Sequence, residues 1–314
     1  MNPRRFVFLF LGALTVLRLL LIGCFELFPD EAYYFMWSER MDWSFFSKGP
    51  GVAATMWLST HLFGVSEFGI RFFSPLLALG TSVVLWNLAR RLYSESIAAW
   101  TVVLINVLPI LNAGALVMTI DPLSIFFWSA ALLTCWRALE HSPRFSAWWP
   151  VTGLLIGLGF LAKYTNAMQL LCILLLLAIT PKFRAELRRP GFYSMLGVFL
   201  LCCIPVVIWN AQHEWVTLEH LTARGGLKKP WSFQPLEFLS FVGMHFGVYS
   251  PLIFSGIAIA AFWGVSKARH SFKARFLLCF GLHRGQEVLE QHLVQSQVCP
   301  YGGRPKRVHL QGDW

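Results

Sequence analysis

Charge is scarce in this sequence. Only 13% of its 314 residues are Asp, Glu, Lys or Arg, against about 25% in an average soluble domain, which excludes a water-solvated surface over most of the chain. CxxC pairs and HExxH are also missing. The seven cysteines stand singly or as the neighbours Cys202 and Cys203, mostly inside apolar stretches, so they read as small buried hydrophobes and not as a metal cluster or disulfide framework. Acidic residues number 16 against 26 basic ones, a formal charge of +10. The basic residues sit in short clusters between apolar runs and not on one polar domain, so no nucleic-acid partner is expected.

What the chain has instead is apolar surface: 56% hydrophobic residues, 14 Trp, 28 Phe and a mean hydropathy of +0.57. A helix needs about 20 residues to cross the hydrocarbon core. Uncharged or nearly uncharged runs are centred on 6–25, 69–89, 97–117, 122–139, 146–161, 165–181, 192–210 and 238–263. The expectation is an all-α, polytopic transmembrane bundle of about eight spans. The first run follows Arg4 and Arg5, contains Arg18 and is followed by no small-residue cleavage signal, so it reads as an uncleaved helix.

With the N-terminus cytoplasmic, fourteen basic residues fall inside, among them Arg90, Arg91 and the cluster Lys182 to Arg189, and seven fall outside. That bias obeys the positive-inside rule. Merging the fifth and sixth runs across Lys163 would invert it, so they count as two spans. Ten acidic residues, including Asp30, Glu31 and Asp121, gather on the outer side. Acidic residues contribute little to topology, so this concentration points to chemistry.

The first outer loop, residues 25–73, is too long for a tight connector and too apolar for a solvated tail. Its Trp37, Trp43, Phe45, Phe46, Trp57 and Phe63 suit short helices lying along the interface. Asp30 and Glu31 follow Pro29 at the start of a helical turn running through Tyr33, Tyr34 and Trp37. Two readings stand side by side: the carboxylates cap that turn, or one of them, partly desolvated, serves as a general base or cation ligand. Lys48, in the turn Lys48-Gly49-Pro50, either meets a phosphate or snorkels to the headgroups. Glu67 and Arg71, four apart, read as a helical salt bridge.

The second outer loop holds Asp121 before Pro122, which reads as a helix cap and first position and also puts a second carboxylate on the face of Asp30. Lys163 and Tyr164 close a Gly-rich helix whose Gly153, Gly157 and Gly159 permit close packing. Lys163 either orients the bundle or holds a lipid phosphate. In the last outer loop His213 and Glu214 lack a metal-ligand spacing, and Arg224, Lys228 and Lys229 suit an anionic substrate or lipid headgroups.

Taken in order, PDEAYYFMWSERMDWSFFSKGP at 29–50, GVSEFGIRFFS at 64–74, MTIDPLSIFFW at 118–128, GLGFLAKYTN at 157–166 and WNAQHEWVT at 209–217 resemble the integral-membrane GT-C glycosyltransferases that use polyprenyl-phosphate sugars. The likeness covers about residues 6–275 and is strongest to the lipid A aminoarabinose transferases and protein O-mannosyltransferases. The resemblance implies inverting transfer from a lipid-linked sugar to a lipid, glycan or protein acceptor on the extracytoplasmic face of the bacterial inner membrane. Asp30 then matches the catalytic acidic position and Glu31 its neighbour, which orients the loop. Asp121 falls on the second acidic motif. Lys48 matches a donor-phosphate contact, although Lys-Gly-Pro stands where many relatives have Lys-Pro-Pro, and Lys163 matches a basic position facing the carrier phosphate.

The expected catalytic set is therefore Asp30, Glu31 and Asp121, and the expected substrate-binding set is Lys48, Tyr33, Tyr34, Lys163, Tyr164, His213 and Arg224. A divalent metal cation on Asp30 and Asp121 is admitted by this arrangement and demanded by no spacing. Residues 1–280 are expected to form one transmembrane domain, with 281–314 an atypical polar tail in which a span beginning FLLCFG stops abruptly, as in an altered reading frame or a truncated product. The rival classes are a transporter or flippase for a lipid-linked sugar and an inactive transferase. Transport would favour ionisable residues at helix centres, where this sequence has only Arg18 and His245.

Overall fold

The structure, a computed structural model, describes residues 2–224 and 235–281. The expected tail beyond residue 281 and the pair Lys228 and Lys229 lie outside the described residues. The order is α1 (Pro3–Leu21), α2 (Pro29–Ser38), α3 (Gly51–Phe63), α4 (Glu67–Arg71), α5 (Phe73–Leu92), α6 (Glu95–Val107), α7 (Pro109–Gly114), α8 (Ile120–Glu140) and α9 (Trp148–Ala162). A 3-10 turn (Tyr164–Ala167) leads into α10 (Met168–Ile179), and a second (Pro181–Arg188) into α11 (Pro190–Gln212). Then come α12 (Val216–Arg224), α13 (Pro235–Tyr249), α14 (Pro251–Ala268) and a helical stretch over 272–281. No strand occurs among the described residues.

Four of the described helices have the length and apolar composition of a span: the continuous run Glu67–Leu92, α8, α11 and α14. These four do not confirm the expected count of about eight, and proline divides two of the expected runs. The third expected run breaks at Leu108, whose extended backbone precedes Pro109, because a residue before proline is driven out of the helical region. The last expected run breaks at Ser250 before Pro251, giving α13 and α14. Helices α6 and α9, with 13 and 15 residues, reach only about 20 Å at 1.5 Å per residue. The fifth and sixth runs are separate helices as expected, parted where Lys163 is extended (φ −149°, ψ 118°). The segment 25–73, expected as the first outer loop, is likewise folded into three short helices, α2 to α4.

Packing is centred on α9, which lies against both α8 and α11. The main core joins Trp128 and Cys135 of α8, Trp149 and Ile156 of α9, Leu176 of α10, Met195 of α11 and Phe276 of the last stretch. A second cluster, with Tyr34, Val52, Met56, Ile70, Met118 and Ala162, joins the loop helices to the start of α8 and the end of α9. A third seats α1 on α5 and α6 through Val7, Leu11, Trp86 and Val102. The expected close packing of the Gly-rich helix is present: a Cβ on Gly153 would stand 2.1 Å from the Met195 carbonyl oxygen, and one on Gly157 2.6 Å from Cys202 Sγ.

Backbone does not yield to a methyl group as a flexible side chain does. Gly153→Ala is therefore expected to destabilise the bundle by about 1–3 kcal/mol. Gly197→Ala, where nothing lies within 4 Å, should leave it unchanged or slightly firmer. Thermal or denaturant unfolding of both variants in detergent checks the contrast.

Candidate functional site: an acid-lined cavity at one end of the bundle

The first turn of α2 divides its two carboxylates between two tasks. Glu31, at the third helical position, accepts the Phe28 backbone N–H at 3.0 Å, so it takes the capping duty. Asp30, one residue earlier, is exposed, and no hydrogen bond or ion pair holds its carboxylate among the described residues. It faces a cavity of about 810 Å³.

The start of α8 makes a similar division. Thr119, and not Asp121, is the cap residue: its Oγ1 accepts the Asp121 N–H at 3.3 Å. This corrects the reading of Asp121 as the cap. Its carboxylate is left to bond Lys163 Nζ at 3.1 Å. The Lys163 side chain is 8% exposed and that of Asp121 47%, so the pair is buried at its cation and open at its anion. Asp30, Asp121 and Lys163 all line the same cavity.

The remaining wall is largely apolar, with Ile105, Ile110, Leu111, Val117, Ile125 and Trp128. One polar patch interrupts it. Ser82 Oγ accepts from Asn106 Nδ2 at 2.9 Å. Behind them, buried Arg18 donates to Asn106 Oδ1 at 3.0 Å and to Asn112 Oδ1 at 2.6 Å. No carboxylate pairs with Arg18 among the described residues. The lone Arg in an apolar run was the sequence signal for this patch; its amide partners were not legible.

Arg71 does not pair with Glu67. Its guanidinium bonds Glu31 through Nε at 2.8 Å and Nη2 at 2.6 Å, with both side chains at 0% exposure. An i,i+4 spacing puts two residues on one helical face, but α4 has only five residues and Arg71 turns into the core while Ser66 caps the turn. Losing one partner of a buried pair costs about 3–5 kcal/mol, because the other charge is stranded.

Tyr33, Tyr34, Lys48, Tyr164 and His213 are not among the lining residues of the cavity. Tyr33 and Tyr34 pack on Trp37, with ring centroids 4.7 and 5.2 Å apart, and Trp37 stacks on Phe45 at 4.5 Å. Lys48 lies half-buried in a turn whose carbonyl accepts the Phe45 N–H at 3.0 Å. Tyr164 shares a 3.0 Å hydrogen bond with Ser44 Oγ. Burial pushes its phenol above the ordinary value, and hydrogen bonds to Ser44 and Thr217 act in the opposite direction, so it stays protonated. His213 stacks on Trp209 at 4.0 Å and donates from Nδ1 to the Trp209 carbonyl at 2.8 Å. Arg224 ends α12, and its side chain lies outside the described residues.

The loop carrying Lys48 is tied down at several points. Asp42 accepts the Trp209 indole N–H at 2.7 Å, and Thr217 Oγ1 donates to the Phe45 carbonyl at 3.4 Å. At Gly49 and Gly51 the turn lies directly on the backbone that leads into Lys163. A Cβ would stand 2.3 Å from the Leu161 carbonyl oxygen at the first, and 2.9 Å from the Ala162 nitrogen at the second. No group of three His, Cys, Asp or Glu residues suited to a metal occurs among the described residues.

The sequence pattern of the dolichyl-phosphate-mannose-protein mannosyltransferases matches residues 47–209, just over half of the chain. The chain belongs to this family. It is similar to the lipid A galacturonosyltransferase RgtD of Rhizobium johnstonii, 28% identical over 84% of this chain and 54% of the relative. It is also similar to the undecaprenyl phosphate-alpha-4-amino-4-deoxy-L-arabinose arabinosyl transferase 2 of Pseudomonas fluorescens, 32% identical over 52% of this chain and 33% of that one. The chain thus spans about half the length, or less, of these curated relatives.

Among solved structures, ArnT from Cupriavidus metallidurans bound to undecaprenyl phosphate superposes with a TM-score of 0.62 at 18% identity, covering 93% of this chain and 60% of that one. The Archaeoglobus fulgidus oligosaccharyltransferase, in complex with Zn and sulfate, gives 0.60 at 15% identity over 92% and 46%. The fold of the family member described here is the GT-C fold, a bundle of apolar helices with the make-up of a membrane protein.

The glycine contacts set a test of the site's construction. Gly49→Ala has to displace the Leu161 carbonyl, so it is expected to loosen the Lys48 turn. Faster proteolysis after Arg40 or Lys48 in the folded variant than in the parent would register it.

Proposed function

We propose that this chain transfers a glycosyl group from a polyprenyl-phosphate donor to a hydroxyl acceptor at the extracytoplasmic face of the bacterial inner membrane, with the N-terminus cytoplasmic. The observation that carries the reading is the convergence of Asp30, Asp121 and Lys163 on one largely apolar cavity. An unpaired carboxylate suits a base, and a desolvated ammonium suits a departing phosphate. In this reading the acceptor oxygen forms a bond to the anomeric carbon as the bond from that carbon to the phosphate oxygen breaks, with inversion. Asp30 takes the acceptor's proton. The leaving polyprenyl phosphate keeps the electron pair, and Lys163 offsets its charge.

The bond from Lys163 to Asp121 holds the ammonium at the cavity until a phosphate competes for it. The relatives' names supply the substrates to try first: galacturonosyl and 4-amino-4-deoxy-L-arabinosyl groups, undecaprenyl phosphate as carrier and lipid A as acceptor. A divalent cation would find Asp30 unpaired and Asp121 already engaged, so the cavity as arranged favours transfer driven by the base and the ammonium. Residues 1–280 form the transferring domain in this proposal.

Two outcomes test the assignment in membranes containing the 314-residue chain. Asp30→Asn, at unchanged abundance, is expected to lower transfer of labelled sugar by about 10²–10⁴-fold; full activity in this variant would overturn Asp30 as the base. Lys163→Gln is expected to raise the donor KM and slow phosphate departure together, with kcat/KM lower by at least about tenfold.

A further inference from the structure

The Glu31–Arg71 pair is complete in a sense that the Asp121–Lys163 pair is not. A guanidinium has five N–H donors. Arg71 uses one at Nε for Glu31 Oε1, two at Nη1 for the Ile22 and Phe25 carbonyls at 2.9 and 2.7 Å, and two at Nη2 for Glu31 Oε2 and the Glu26 carbonyl at 2.6 and 2.7 Å. The Phe25 ring closes over the guanidinium carbon at 4.0 Å. Glu31 is equally occupied. Oε2 also accepts Phe28 N–H at 3.0 Å, and Oε1 accepts Met118 N–H at 2.9 Å. With two further bonds from Arg71, its lone-pair directions are filled, and neither side chain has any exposure. A carboxylate so occupied cannot accept a proton from an acceptor hydroxyl without breaking the pair.

One of those bonds, from the Met118 N–H to Glu31 Oε1, joins the two acid-bearing segments of the cavity, and Arg71 holds Glu31 in place to accept it. Glu31 is the neighbour of Asp30 in the first turn of α2, and Met118 stands three residues before Asp121, itself buried and accepting a 3.2 Å hydrogen bond from Ser74 at its sulfur. We propose that Arg71 and Glu31 are positioning residues, a strut that fixes the separation of the Asp30 and Asp121 carboxylates across the cavity, and that Glu31 takes no part in proton transfer. The proposal rests on the transferase reading above.

The test measures the 314-residue chain in membranes with Arg71→Lys, which keeps the charge but offers three donors in place of a five-donor fork, and Glu31→Gln, which keeps the shape. The donors are undecaprenyl phosphate carrying galacturonic acid or 4-amino-4-deoxyarabinose. Per mole of folded chain, kcat is expected to fall about 100-fold with donor KM held within about threefold, and the acid limb of the pH–rate profile should stay in place. Unchanged turnover per folded chain would reduce the pair to a stability element and overturn the proposal. So would loss of the acid limb in Glu31→Gln, which would make Glu31 the proton acceptor.

A second measurement needs no transfer at all. Phe28→Cys and Val117→Cys, both lining the cavity, are joined with bifunctional thiol reagents of graded length in a Cys24→Ser background. One length should dominate in the parent and several should serve in the Arg71→Lys chain. The same single length in both would remove the strut. If the parent transfers no sugar yet shows this contrast, the reaction assignment fails and the strut stands.

Discussion

Where water is excluded, a charge is held only as well as its hydrogen-bonding directions are filled. The chain shows this constraint met to three degrees. Arg71 and Glu31 satisfy each other and five backbone groups with nothing left over. Arg18 is carried into the bundle on two amide oxygens, a neutral ligand set for a cation. Lys163 is nearly buried and bonded to a carboxylate that is itself half open. The order matches the work each can do. The first pair is fixed, the second supports a cavity wall, and only the third is bonded to a partner that a ligand can reach.

The glycines act on the same problem from the backbone side. Close contact of Gly153 with Met195 and of Gly49 with Leu161 lets main chains approach where side-chain volume would part them, and in an apolar medium such contact is the main source of association between helices. The Lys48 turn and the α9 terminus bearing Lys163 are therefore assembled as one piece.

Much of the architecture was legible because it follows from period and composition. The helical class, the separation of α9 from α10 at Lys163, the helices of the first outer loop and the packing glycines all follow from local sequence. The helix breaks inside two expected runs were not, because a hydropathy window passes over Pro109 and Pro251 as single residues while the backbone breaks at each. Site assignments divided in the same way. Asp30, Asp121 and Lys163 meet in one cavity, as their outer placement suggested. The partner of Arg71 was hidden: Glu67 is four residues away and Glu31 forty, and spacing rules see only the first. Thr119 displaced Asp121 as cap for a similar reason, since both residue types favour that position and only the start of the helix decides between them.

The loop between α2 and α3 is anchored by partners far along the chain. Ser44 meets Tyr164 across 120 positions, Asp42 meets Trp209 across 167 and Phe45 meets Thr217 across 172. A ribosome delivers the chain from its N-terminus, so the loop following Asp30 is synthesised well before any of these anchors exists. Its final form has to wait for α11. Until then this aromatic-rich segment lacks its distant anchors, so the first loop made is among the last to be set.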